Sequence, residues 1–326
     1  GKVNVIVKQT QAEKAFRLPI AVDVYNGSKK IRYNVWLNNR TDTLTFPYTS
    51  HPDLVNVDAD KILLAEKTDN KSLANYIHQY TYAGNYIDRR EAIDFASESQ
   101  DPKAFELLKT AARDKYYGLR AYTLTKLDFR QPDVQTEMEP ILADLARNDP
   151  KPTVKAAALS ILSGYVDEKY KDLFAKDVSD SSYSVAGAAL EGLMVLDSTS
   201  AIGTAKKMSG EKIKGRLLES VTKVLMASGD VSGFDMIAKT FDNMPISQAK
   251  FNLIQPLSQM LIKIDDTEKV KKGVDMIVEF RDAIPPEYGI APYINNLLNN
   301  IVAKKSAAGG NSQEQIDYIK GKIAGK

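Results

Sequence analysis

The sequence predicts a mainly α chain with an all-β domain at its N-terminus, a small β-sandwich followed by a HEAT/armadillo-like α-solenoid. Three observations carry this. Over residues 1–68 apolar side chains alternate in short runs, the period of half-buried strands. From Asp69 they recur at helical spacing almost to the C-terminus. A helix-pair segment then repeats three times, at steps of 35 and 31 residues. The expected division is a sandwich over 1–68, a helical repeat domain over 69–304, and a linker with a short docking helix over 305–326.

In the first part Val3, Val5 and Val7 alternate, then Phe16, Leu18, Ile20, Val22 and Val24, then Ile31, Tyr33, Val35 and Leu37. Leu44 with Phe46 and Val55 with Val57 complete five or six short strands. Asn26-Gly27 between the second and third runs is a hairpin signal, since both residues tolerate positive φ. The stretch His51–Ile93 holds the change of period, both histidines and the first amphipathic helix, with Leu73, Tyr76, Ile77 and Tyr80 on one stripe. Asp88 with Glu91 has capping-box spacing, and Asp101-Pro102 sets a cap before a proline at the first helical position.

The repeat aligns LLKTAARDKYYGLRAYTLTKLD from Leu107, ILADLARNDPKPTVKAAALSILSGY from Ile141 and LFAKDVSDSSYSVAGAALEGLMVLD from Leu173. Ala121, Ala156 and Gly187 share one phase, Leu124, Leu159 and Leu190 a second, Leu127, Leu162 and Leu193 a third. Small residues predict close packing of successive second helices. Asp114, Asp149 and Asp180 sit in the turns, where capping of the second helix is the expected role. Less regular pairs follow at 198–208 with 211–228, 230–242 with 246–263, and 266–283 with 286–304. Pro256 should kink or divide its helix, and Pro285-Pro286 should start the last long one. KKSAAGGNS reads as a flexible linker, and Ser312 with Gln315 as a capping box before the stripe Ile316, Ile319, Ile323.

Composition narrows function. The chain of 326 residues, 43% hydrophobic and 26% charged, has the make-up of a folded protein of two or more domains. Net charge is +2, with no linear basic excess, so nucleic acid is not the expected partner. No apolar run is long enough to span a bilayer. Zero cysteines exclude disulfides and thiolate metal sites and suit a cytosolic and a periplasmic address equally. The compartment is left open, with a lean to the periplasm or cell envelope that composition does not supply. The Gly-Lys start reads as a piece of a longer protein or a processed product.

No catalytic, cofactor-binding or metal-binding residues are assigned. The histidines stand as His51-Pro-Asp and His78-Gln-Tyr, 27 positions apart, and neither forms H-E-x-x-H. There is no Walker lysine loop, no G-x-G-x-x-G and no G-x-S-x-G elbow. Asp58/Asp60 and Asp265/Asp266 sit where turns and caps need them. His78, beside the apolar stripe, reads as a partly exposed surface or groove histidine. The one unusual enrichment is tyrosine: Tyr76, Tyr80, Tyr82, Tyr86, Tyr116, Tyr117 and Tyr122. Most read as core or seam residues, and a few with Arg120 as the lining of a peptide groove.

FRLPIAVDVYNGSKKIRYNVWL, then TLTFPYTSHPDLVNVDADKILLAEK, then helical repeats to the end, resembles the C-terminal half of the zinc aminopeptidases of the membrane-alanyl-aminopeptidase family. It is similar to the long forms of Bacteroidetes-type bacteria. The P-x-x-V-N-x-D-like return falls on Pro52, Val55, Asn56 and Asp58. The resemblance implies a preceding catalytic domain with H-E-x-x-H, a distal Glu ligand and G-x-M-E-N, and a helical domain closing over its active site. Zinc belongs to that missing domain, and none of its ligands falls on this chain. The expected partners are the catalytic domain of the same polypeptide and, in the parent, peptide substrates; the chain alone is expected to be inactive. The alternative is a free-standing sandwich-plus-solenoid scaffold that binds a protein partner.

Overall fold

A computed structural model describes residues 1–229, 231–309 and 312–325. Five strands come first: β1 (Lys2–Lys8), β2 (Leu18–Asn26), β3 (Lys29–Leu37), β4 (Thr41–Pro47) and β5 (Leu54–Val57). β1 pairs antiparallel with β4, and β2 lies between β3 and β5 in a second antiparallel sheet. Ile20, Val22, Val24, Leu37 and Phe46 are buried between the sheets, with Val3, Val5, Val7 and Leu44 half-buried against them. β2 is buried on its other face too, through Ala21, Asp23 and Tyr25, where Tyr25 packs with Leu54 and Ala83 and Asp23 lies under Lys30 and Arg32.

Two expectations shift here. Phe16 lies before β2 with its ring exposed, its backbone exchanging hydrogen bonds with the Gln9 amide. The hairpin loop is Gly27-Ser28, since Asn26 still pairs with Lys29. Gly27 alone takes the positive φ, +53°, at the first loop position.

The helices are α1 (Leu73–Tyr82), α2 (Tyr86–Ser97), α3 (Pro102–Ala111), α4 (Tyr117–Lys126), α5 (Pro132–Asn148), α6 (Pro152–Ser163), α7 (Lys171–Asp177), α8 (Tyr183–Leu196), α9 (Ser198–Met208), α10 (Gly215–Ser228), α11 (Phe234–Asn243), α12 (Gln248–Ile262), α13 (Thr267–Asp282), α14 (Ile290–Ala308) and α15 (Gln313–Ile323). Helix therefore starts at Leu73 and not at Asp69, behind a Ser72–Asn75 capping box. The strand-to-helix change falls between Val57 and Leu73, but the contacts divide the chain elsewhere, into compact units Gly1–Ile141 and Leu142–Lys326. Among the described residues no helix is long and apolar enough to cross a membrane.

In the first unit Leu73, Ile77 and Tyr80 of the predicted stripe pack on Ile93, Leu107, Leu108 and Leu119, with Tyr122 and Leu127 beside them. In the second, successive second helices pack in chain order, α6 on α8, α8 on α10, α10 on α12 and α12 on α14. Small residues allow this. A Cβ on Gly187 would stand 2.9 Å from Ser220 Oγ and 3.1 Å from the Arg216 backbone, so α8 and α10 approach as closely as only glycine permits. Gly192 likewise leaves room for the ring of Phe174 from α7.

The caps differ in detail from expectation. Asp101 accepts a hydrogen bond from Lys103 N as foreseen. Asp114, Asp149 and Asp180 each accept instead from the amide two residues on, Tyr116, Lys151 and Ser182, which are the N-cap residues. They fold the turn back one step before the cap, as Asx turns do. Asp88 is not a cap: α2 starts at Tyr86, so Asp88 lies in its first turn, buried. Ser312 makes no side-chain cap; Gln315 turns away and donates to Asp265 O and Thr267 Oγ1. α12 runs undivided through Pro256. The last long helix starts at Ile290, after a 3-10 turn at Pro286–Tyr288. The expected linker over 304–312 is helical as far as Ala308; residues 310 and 311 lie outside the described residues, as does residue 230 of the 230–242 segment. α15 packs on α13 and α14 through Ile316 and Ile319.

Candidate functional site

The segment between β5 and α1 is tied down by charge. Asn56, from the P-x-x-V-N-x-D-like return, donates to Asp88 Oδ1 at 3.0 Å. Lys61 reaches the same carboxylate at 2.8 Å and Glu91 at 3.4 Å. Lys67 and Lys71 both clasp Asp69, and Lys71 also donates to Gln79 Oε1. Burial pushes the Lys71 ammonium below the usual lysine range, with Asp69 opposing, whereas on Lys67 burial is outweighed by Asp69 and Glu91. Every charge in this cluster has a partner of opposite sign, which marks it as a clamp on the chain. Asp58 adds a turn, at φ +52°, accepting from Ile62 N and Leu63 N.

The histidines are also structural. His78 is partly exposed: its Nε2 meets Gly27 O at 2.9 Å, and its ring lies between Tyr25 and Tyr82. Asp53 accepts from Gly27 N at 2.7 Å, so both side chains hold the hairpin loop. His51 turns Nδ1 to Pro52 O. Among the described residues no three His, Asp or Glu side chains are gathered where a metal ion would need them. These residues do not fit a zinc site.

The tyrosines separate into two sets. Tyr76 stacks on Phe95 at 4.3 Å, Tyr80 donates to Asp114 Oδ2 at 2.7 Å, and Tyr122 donates to Asp94 Oδ1. Burial, with that bond to Asp114, pushes the Tyr80 hydroxyl well above the ordinary tyrosine range. Tyr82, Tyr86, Tyr116 and Tyr117 are exposed instead. Tyr86 and Tyr116 meet edge to face at 5.7 Å and 88°, and Tyr116 leans on Tyr117 at 5.0 Å.

This second set frames the candidate site. Tyr86, Arg89, Lys115 and Tyr116 line an open pocket of about 550 Å³. Tyr86 and Arg89 stand three residues apart in α2, on one helix face. Tyr116 is the N-cap of α4, held by the Asp114 turn. Arg120 does not take part: it is buried, donating to Asp114 O at 2.9 Å. Arg89 takes its place, with Nη1 3.2 Å from Asp114 Oδ1. Its i+3 spacing from Tyr86 sets it on the same face of α2, but no spacing selects it over Arg120.

No family model and no curated protein matches the sequence. Solved structures do match. The crystal structure of Legionella pneumophila aminopeptidase A in complex with aspartic acid aligns with 100% of this chain at a TM-score of 0.50 and 12% identity. This chain spans 47% of that protein, about half its length. The CpcE–CpcF complex of phycocyanin lyase from Nostoc sp. covers 74% of this chain and 98% of its own at 14% identity and a TM-score of 0.45. Human deoxyhypusine hydroxylase covers 78% and 96% at 11% and 0.34. At such identity the aminopeptidase likeness is one of fold.

Proposed function

We propose that this chain is the non-catalytic C-terminal region of a zinc-dependent aminopeptidase, its helical repeats closing over the active site and shaping peptide access. The observation that carries the reading is the order of parts. Sandwich and helical repeats together follow one aminopeptidase over the whole of this chain, while leaving about half of that enzyme unmatched. The unmatched half is where a catalytic domain with its zinc would lie.

A second observation agrees. Ile6, Phe16, Ile31, Trp36, Ile62 and Leu64 are exposed within the first 68 residues, a density of non-tyrosine apolar surface that the later helices do not repeat. Such surface suits contact with another folded domain. The proposed partners are accordingly the catalytic domain of the same polypeptide and, in the whole enzyme, peptide substrates.

The test has two parts. Sequence upstream of Gly1 should encode an H-E-x-x-H helix; a start codon or signal peptide immediately before it would favour the scaffold reading instead. The purified chain should carry no stoichiometric zinc after dialysis and should not hydrolyse aminoacyl-p-nitroanilides. One equivalent of zinc together with chelator-sensitive turnover would overturn the reading.

A further inference from the structure

We propose that the pocket framed by Tyr86 and Tyr116 binds a carboxylate of a peptide, through Lys115 and Arg89, with the neighbouring peptide side chain against the two rings. This deepens the peptidase reading and rests on it for the choice of a peptide as ligand.

The side chains that line the pocket carry charge of one sign. Its two ionic lining residues are Arg89 and Lys115. The nearest acids face elsewhere. Asp114 is buried, its oxygens taken up by Tyr80 Oη, the Tyr116 amide and Arg89. Asp88, in the first turn of α2, is buried and committed to Asn56 and Lys61. Lys115 has no acidic partner among the described residues, although an exposed lysine beside an aspartate commonly finds one. Arg89 is anchored at one end by Asp114. A guanidinium held this way gives up little rotamer entropy when an anion arrives.

The rest of the site suits a peptide better than a free inorganic anion. The walls are two phenol rings set edge to face, an apolar cleft with polar tips. A volume of about 550 Å³ lies in the range of small-ligand sites and suits a terminal residue with its carboxylate. α2 and α4 both begin at this place, but Asp88 in the first turn of α2 and Asp114 beside the N-cap of α4 already oppose their dipoles, so the cationic character comes from Lys115 and Arg89.

Two sources offer the same group, a peptide C-terminus or an Asp or Glu side chain. Calorimetric titration of the 326-residue chain with three versions of one short apolar peptide separates them. The first has a free C-terminus, the second a C-terminal amide, and the third an amide with Asp in the last position. Amidation is expected to weaken binding by about tenfold, the scale of one charge-assisted contact. If Asp restores the affinity, the pocket takes a carboxylate of either origin; if it does not, the pocket takes the terminus. Lys115→Gln, an exposed change, should weaken the carboxylate peptide several-fold and leave the amide unaffected. Arg89→Gln is the poorer variant, because it also strips Asp114 of its cation. Equal binding of all three peptides, no binding at millimolar peptide to a chain with native circular dichroism, or indifference to Lys115→Gln would each overturn the proposal. The readout is binding by this chain alone. Its failure removes the site and leaves the peptidase reading to the zinc and upstream-sequence tests, while failure of those tests leaves a measured carboxylate site standing.

Discussion

Along β1 the core-facing residues Val3, Val5 and Val7 are only half-buried, and Ile6 on the opposite face is 70% exposed, whereas Phe174, Leu190 and Leu253 of the second unit expose nothing at all. Two different apolar periods thus bury their residues to different depths. A two-stranded sheet laid on a three-stranded one has too little area to close its own core. A run of helix pairs covers each second helix with the next, and the glycines that let α8 meet α10 and Phe174 make that cover tight. The sandwich leaves apolar side chains such as Ile6 and Trp36 exposed, and the repeats bury theirs.

That contrast breaks first in the repeats. Phe174→Ala removes a wholly buried ring lying over Gly192 and should cost about 3–5 kcal/mol. Helical circular dichroism during urea unfolding would report it; a loss under about 1 kcal/mol would mean that α7 collapses onto α8 without strain, and that the repeat interior is looser than its burial implies.

A smaller effect is expected inside the sandwich, where Asp23 is buried on β2 and accepts from Lys30 Nζ and from Arg32 Nε and Nη2. Burial alone would raise its pKa, but the hydrogen bonds from Arg32 and Lys30 outweigh it and hold the carboxyl below the ordinary Asp value. Its contribution to stability is therefore present above that ordinary value and is lost as pH falls through the lower folded-state value. Asp23→Asn should cost about 1–2 kcal/mol at neutral pH, tempered by the exposure of both cations, and should remove that acid-dependent step. Trp36, the only tryptophan, stands on β3 beneath the guanidinium of Arg17 at 4.4 Å and reports on this domain alone by fluorescence. An acid step that survives in Asp23→Asn would assign it to another carboxyl.

The smallest effect is expected on the exposed rim. Ile6→Ala and Leu64→Ser should change the stability of this chain by no more than about 0.5 kcal/mol, because neither side chain is covered. In a longer protein carrying the proposed catalytic domain the same changes should cost clearly more. Equal, negligible costs in both would mean that this apolar rim is not an interface.

The sequence carried the local features well and the long-range ones poorly. Period-two runs located all five strands, and the phases of Leu124, Leu159 and Leu190 located the second helices, because each depends on neighbours along the chain. Boundaries moved where two cap signals competed: Asp88 had the spacing of a capping box, but the helix started at Tyr86 once Asn85 gave its amide to Ala59 O. Gln315 was drawn from its expected cap by Asp265, fifty residues away. The candidate pocket was half legible. Its tyrosines stood out by enrichment, but which cation joins them depended on Asp114 claiming Arg120 through its backbone and Arg89 through its side chain, a choice that no spacing encodes.

The most direct test of the proposed role compares two substrates in the whole enzyme, with and without residues 69–326, in a catalytic core shown to remain folded and zinc-loaded. The measurement is kcat/KM for a long peptide and for a single-residue chromogenic substrate. If the repeats shape peptide access, their removal changes the ratio of the two values. An equal loss for both substrates would contradict the account, reducing the helical region to a stabilising element.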